Sequence, residues 1–203
     1  MLPKGERPAF ASLSVVVLIL VFCLQVMGCT TLGTQRLERY LAQGNALMAA
    51  GDHEGAIELY RSVLQAHPQQ RKIRYNLALA FVQAGNPDAA LEELSRLDAQ
   101  ADHRNVTYLT AIGGVAAASG KGGRAIEAWK RVLELDPLDV KVRELLVDEL
   151  ARQQAFSEAY RYAAEAFRLG QFSKELFAKL AELEVRSGSG DGNSWKLLEE
   201  NHT

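Results

Sequence analysis

The chain has 203 residues, 48% of them hydrophobic and 24% charged, with 23 basic and 25 acidic side chains giving a net charge of -2. A balance this close to neutral, with both signs mixed along the chain, excludes the basic footprint of a nucleic-acid binder. The length fits one domain.

The N-terminus has the three parts of a secretory signal: Lys4 and Arg7, an apolar run from Phe10 to Leu24, then Val26-Met27-Gly28-Cys29. That tetrapeptide resembles the bacterial lipobox. The resemblance implies that residues 1–28 are a signal peptide, that the mature protein starts at Cys29, and that Cys29 carries the lipid. Two or more acyl chains give stable anchoring, at about 0.8 kcal/mol per buried CH₂. An uncleaved signal anchor is the alternative, because the apolar run is barely long enough to cross a bilayer. Both readings export the chain and hold it to a membrane. Cys23 leaves with the signal and Cys29 is acylated, so no thiol remains for a disulfide, a metal or a nucleophile. In a Gram-negative host, Thr30 after the lipidated cysteine implies the outer membrane, facing the periplasm. The mature chain keeps 21 basic and 24 acidic residues, a charge of -3. Residues 29–36 form a tether, of which Thr30 to Gln35 reaches roughly 20 Å.

From Leu37 to Gln171 a pattern recurs every 34 or 35 residues. In the first copy Tyr40, Gly44, Leu47, Gly51, Ala56, Tyr60 and Pro68 stand at positions 4, 8, 11, 15, 20, 24 and 32. The second copy, from Arg71, has Leu77, Ala78, Phe81, Gly85, Ala90, Leu94 and Leu97, with Asp102 where proline is expected. The third, from Val106, has Ile112, Gly113, Ala116, Gly120, Ala125, Trp129, Val132 and Pro137. In the fourth, from Val140, Leu146, Leu150, Phe156, Ala159, Ala163 and Ala166 are kept, but Gln154 replaces the glycine and Gln171 the proline. This register of small, aromatic and proline positions resembles the tetratricopeptide repeat. The resemblance implies an all-α fold: a right-handed superhelical solenoid of four helical hairpins over residues 37–186, closed by a C-terminal capping helix.

Small residues at positions 8 and 20 (Gly44 with Ala56, Ala78 with Ala90, Gly113 with Ala125) let the two helices of a hairpin cross closely, and larger ones at 11 and 24 fill the flanks. Glycine just after a helical run predicts a left-handed C-cap at each hairpin turn. Pro68 and Pro137 stop the second helices of their units. Ser173 to Arg186 reads as the capping helix, with Leu176, Phe177, Leu180, Leu183 and Glu184 at helical spacing. Residues 187–203 read as a flexible tail, a Ser/Gly-rich linker followed by Trp195-Lys-Leu-Leu-Glu-Glu. Those six residues are either plain tail or a peptide that docks on the groove or on a partner through Trp195 and Leu198.

No catalytic set stands out. His53, His67, His103 and His202 lack ligand spacing and fall at turns, repeat ends or the tail, so we expect surface histidines, no metal and no cofactor. Gly120-Lys121-Gly122 lacks the hydroxyl residue and the preceding strand of a phosphate loop, and the hairpin turn accounts for its glycines. The expectation is a non-enzyme.

In the resembled fold, positions 2, 5, 9, 12 and 13 of each first helix line a concave groove for a protein or peptide partner. Carried over, the groove contains Asn45 and Met48, then Lys72, Tyr75, Leu79 and Gln83, then Thr107, Thr110 and Gly114, with Lys141, Glu144, Asp148, Ala151 and Arg152 beyond. Asn76 joins Asn45 at places used by a carboxylate-clamping variant, but Leu41, Thr107 and Ala111 stand where its cations belong, so clamping is rejected. Gly114 inside a helix costs about 1 kcal/mol against Ala. Either a partner backbone approaches it, or it eases packing against a neighbouring helix. The implied function is a membrane-anchored scaffold of the bacterial envelope, serving pilus or secretion assembly. An adaptor for peptidoglycan hydrolases or proteases and a peptide-sensing regulatory lipoprotein are the alternatives.

Overall fold

A computed structural model of the chain describes residues 35–101, 103–170 and 173–188. Cys29, the signal segment, Asp102, Gln171 and everything from Ser189 onward lie outside them. Two compact units divide the chain, Met1–Leu59 and Tyr60–Thr203. The described part of the first holds α1 (35–49) and the opening of α2 (His53–Ala66). The second holds the rest of α2 and then α3 (Arg71–Gln83), α4 (Pro87–Gln100), α5 (Val106–Ala118), α6 (Gly122–Leu135), α7 (Val140–Arg152), α8 (Phe156–Arg168) and α9 (Lys174–Ser187). Every regular element among the described residues is helical, and none of these helices is long and apolar enough to cross a membrane.

In the second unit α3 with α4, α5 with α6 and α7 with α8 form hairpins, and each packs on the next to make a tetratricopeptide-type solenoid that α9 closes. The crossings follow the small positions: Ala78, Ala90, Ala125 and Ala159 are fully buried. Gly113 is small of necessity, since a Cβ there would run into the Trp129 indole. Leu77, Leu94, Leu97, Leu109, Leu146 and Leu150, each at most 2% exposed, fill the layers between hairpins. Each such burial contributes about 1.5–3 kcal/mol.

One turn is used four times. After α1, Gly51 donates to the Met48 carbonyl and Asp52 to Leu47. Gly85 and Asn86 donate likewise to Val82 and Phe81, Gly120 and Lys121 to Ala117 and Ala116, and Gln154 and Ala155 to Ala151 and Leu150. The pivot has φ of 78°, 74° and 73° at the three glycines and 61° at Gln154. The fourth hairpin therefore turns as the others do without the glycine that makes this conformation cheap. Helix starts are capped by side chains: Asn86 accepts from the Ala89 amide, Asn105 from Tyr108, Asp139 from Val142 and Ser173 from Leu176.

Between hairpins the prolines act with a partner that the repeat pattern did not reveal. Arg74 donates to the Pro68 carbonyl at 2.8 Å, and Arg143 to the Pro137 carbonyl at 2.6 Å. Both guanidiniums are buried, and each also meets a carboxylate, Glu93 at 2.6 Å and Glu165 at 3.4 Å. Where the second copy lacks its proline, a different lashing holds the turn. Buried Asp98 accepts the His103 amide on its carbonyl and faces the His103 imidazole Nδ1 at 2.6 Å, while Arg131 from α6 donates to the His103 carbonyl at 2.7 Å. His103 is exposed, as read from the sequence, and is also tied into this junction at a left-handed φ of 56°.

Candidate groove on the first helices of the repeats

The first helix of a hairpin is held by its buried face, and what remains open is set by the same 3.6-residue period. On α3, Ile73, Arg74, Leu77, Ala78, Ala80 and Phe81 are buried, while Lys72, Leu79, Val82 and Gln83 are exposed and Tyr75 is half-buried. On α5, Leu109, Ile112, Gly113 and Ala116 are buried, leaving Thr107, Gly114 and Ala118 exposed and Thr110 and Ala117 half-buried. Leu79 is 41% and Val82 36% exposed, and the Tyr75 ring lies 6.0 Å from that of Tyr108 on α5. The Tyr75–Tyr108 contact joins the two helices, whose open residues are apolar at Tyr75, Leu79 and Val82 on α3 and small at Thr107, Thr110, Gly114, Ala117 and Ala118 on α5.

Gly114 settles one of its two readings. A Cβ built there meets nothing within 4 Å, so packing against a neighbouring helix does not explain the glycine. Gly122, by contrast, has the ends of the Glu149 side chain of α7 and of Gln153, the C-cap of that helix, lying against it, which adds to the hairpin-turn account of that glycine run.

On the far side, α7 offers polar groups that are already engaged. Asp148 is paired with Lys179 of α9, and Glu144 accepts from the Ser173 hydroxyl at 2.5 Å. Lys72 and Lys141 are exposed at the first turns of α3 and α7, and among the described residues neither is paired. The face therefore has unspent cations at one edge and open apolar surface in the middle.

Asn76 is placed differently from its neighbours. Its side-chain amide donates to the hydroxyl of buried Tyr60 at 3.5 Å, so one of its donors serves the core. Burial pushes the Tyr60 phenol above its usual value near 10, and the Asn76 bond offsets part of that rise. In the first unit, Asn45 is exposed and Met48 half-buried on α1.

A second concavity of about 240 Å³ lies between α4 and α6, floored by Leu109 and Ile112 and walled by Ser95, Asp98, Arg124 and Arg131. Arg124 donates to Ser95 and Arg131 to the His103 carbonyl, so its basic groups already hold the α4–α6 contact together. Among the described residues no group of three His, Cys, Asp or Glu side chains is placed to hold a metal ion. The buried arginines escaped sequence reasoning, although a signal exists: in both cases arginine follows the repeat-ending proline by six residues, Pro68 to Arg74 and Pro137 to Arg143.

Comparison with known proteins agrees with this geometry. Residues 47–111 match the family model described as tetratricopeptide repeat. The small glutamine-rich tetratricopeptide repeat-containing protein 2 of Mycosarcoma maydis is 29% identical over 102 residues, 50% of this chain and 29% of that protein. This chain thus spans less than a third of that relative's length. Among solved structures, MamA superposes with a TM-score of 0.64 at 18% identity, covering 80% of this chain and 87% of that one. The pilF protein of Pseudomonas aeruginosa gives 0.55 at 21% identity, covering 81% and 75%. At these identities the likeness is one of fold.

Proposed function

We propose that this tetratricopeptide-repeat chain is a lipid-anchored scaffold of the bacterial cell envelope, whose α3–α5 groove receives a polypeptide during assembly of a pilus or secretion complex. The observation that carries the groove is the open space over Gly114 beside exposed Leu79 and Val82. A helix interior that accepts a glycine at about 1 kcal/mol, with no contact among the described residues to require it, is explained by a polypeptide segment that comes to lie over it. Anchoring and the envelope role are supported by the sequence Val26-Met27-Gly28-Cys29 after its apolar run, and the scaffold role by the helical-repeat fold.

The test is photocrosslinking in the host cell from position 79 on the groove, with position 127 on α6 as the control. We expect pilus or secretion components captured from position 79 alone. Peptidoglycan hydrolases in their place would move the scaffold to wall remodelling, and equal capture from position 127 would sink the groove assignment. Anchoring is tested separately: Cys29→Ser should shift the protein from the membrane fraction to the soluble fraction, and continued full membrane retention would establish a signal anchor instead.

A further inference from the structure

The groove on α3 and α5 has a candidate occupant within the same chain. The tail carries Trp195, Leu197 and Leu198 followed by Glu199 and Glu200, an apolar cluster ending in two acids. The groove carries Tyr75, Leu79 and Val82 as apolar surface and Lys72 as a cation that pairs with no described residue. We propose that Trp195–Glu200 lies in this groove when no partner is bound, with the Trp195 indole over Gly114, Leu198 against Tyr75 and Leu79, and the glutamates toward Lys72. The inference rests on the groove reading above.

Reach supports the register. The tail leaves α9 at Gly188; α9 meets α7 through Lys179 with Asp148 and Ser173 with Glu144, α5 meets α3 through Tyr108 with Tyr75, and a step between neighbouring helices spans about 10 Å. Gly114 is two steps away, roughly 20 Å, and Tyr75 and Leu79 are three steps away, roughly 30 Å. An extended chain covers about 3.3 Å per residue, which puts Trp195 about 23 Å and Leu198 about 33 Å from Gly188. Both apolar groups therefore arrive over matching surface, and the acids come after them, at the edge where Lys72 stands.

Sterics and charge agree. An indole needs a flat, unobstructed floor, and α5 presents Thr110, Gly114, Ala117 and Ala118, with nothing within 4 Å of the place where a Gly114 Cβ would be. The acids of α7 that the tail must pass are already engaged, Asp148 by Lys179 and Glu144 by Ser173. Lys141, exposed and paired with no described residue, offsets them at the same edge as Lys72. Occupation in this way makes the tail a competitor that a true partner must displace.

The experiment reads Trp195 directly. Trp129 is 2% exposed, so the difference between the full chain and its Trp195→Phe variant isolates the tail indole. In detergent solution the full chain should shield that indole from acrylamide far better than a synthetic peptide of residues 189–203 is shielded, independently of protein concentration. Leu79→Asp should remove the shielding without changing the helical melting curve, and Gly114→Gln should do the same by filling the floor. A stop after Gly188 should strengthen binding of the synthetic peptide about tenfold, as expected if the groove is self-occupied roughly nine-tenths of the time. An indole as quenchable as in the free peptide overturns the proposal. So does shielding that grows with concentration, which would make the occupant the tail of a second copy, and so does peptide affinity that ignores the stop. Should the peptide fail to bind while crosslinking from position 79 still captures a partner, the tail proposal falls and the groove stands. Tail binding without any groove crosslink in cells gives the reverse.

Discussion

At Gln154 the backbone takes the left-handed conformation that Gly51, Gly85 and Gly120 adopt in the equivalent turns, and a side chain with a Cβ has to be held there by its surroundings. Gln154→Gly relieves that strain while loosening the unfolded chain, so we expect a net gain of up to about 1 kcal/mol, read as a higher urea midpoint with an unchanged slope. A loss of stability would mean that the Gln154 side chain contributes more than its backbone costs. Gly113 is the opposite case. Its φ is unremarkable and its constraint is space: Gly113→Ala drives a methyl into the Trp129 indole and should cost about 1–3 kcal/mol, measured in the same titration. The two glycine positions look alike in the repeat pattern, and only the neighbours distinguish a backbone requirement from a packing one.

Helices in this chain are joined by buried arginines as much as by prolines. Arg143 is 1% exposed, donates to the Pro137 carbonyl and meets Glu165 of α8, so it ties α7 both to the preceding turn and to its own hairpin partner. Removing the guanidinium strands the Pro137 carbonyl and opens a cavity, while Glu165 is exposed enough to be hydrated, so Arg143→Ala should cost about 1–3 kcal/mol, concentrated in α7, α8 and α9. Arg143→Lys should recover little of it, because one ammonium cannot reproduce a planar fork aimed at two acceptors. Hydrogen exchange localises the effect: protection should fall in α7 and α8 while α3 and α4 keep theirs. Exchange that quickens uniformly along the chain would contradict a local role. Charge also links second helices, where Lys130 of α6 meets Glu158 of α8 at 2.8 Å and that hydrogen bond holds the Glu158 carboxyl below its usual range. This contribution is present above the ordinary carboxylate value and is lost as the pH falls through the lowered one.

As a whole, the stack in the second unit gains stability from neighbours, and among the described residues its last helix, α9, packs on the preceding hairpin alone. Leu176, Leu180 and Leu183 bury α9 on the final hairpin, with Phe177 5.7 Å from the Phe167 ring. Amides of α9 should therefore exchange first and those of α5 and α6 last, and a stop after Gly170 should expose Phe167 and lower solubility. Equal protection across α5 and α9 would contradict this order. Much of that architecture was legible in the chain itself. A period of 34 or 35 residues with small, aromatic and proline positions specifies helical hairpins, because spacing and side-chain size alone decide where two helices can cross. The candidate groove positions on α3 and α5 came from the resemblance, and their exposure follows because a helix that buries one face must expose the other. Tertiary structure decided what depends on residues far apart in sequence. Arg131 on the His103 carbonyl, Glu149 against Gly122 and the empty space over Gly114 each follow from which helix lies next to which. No local pattern encodes that choice, because it is made when the apolar faces of whole hairpins are buried together.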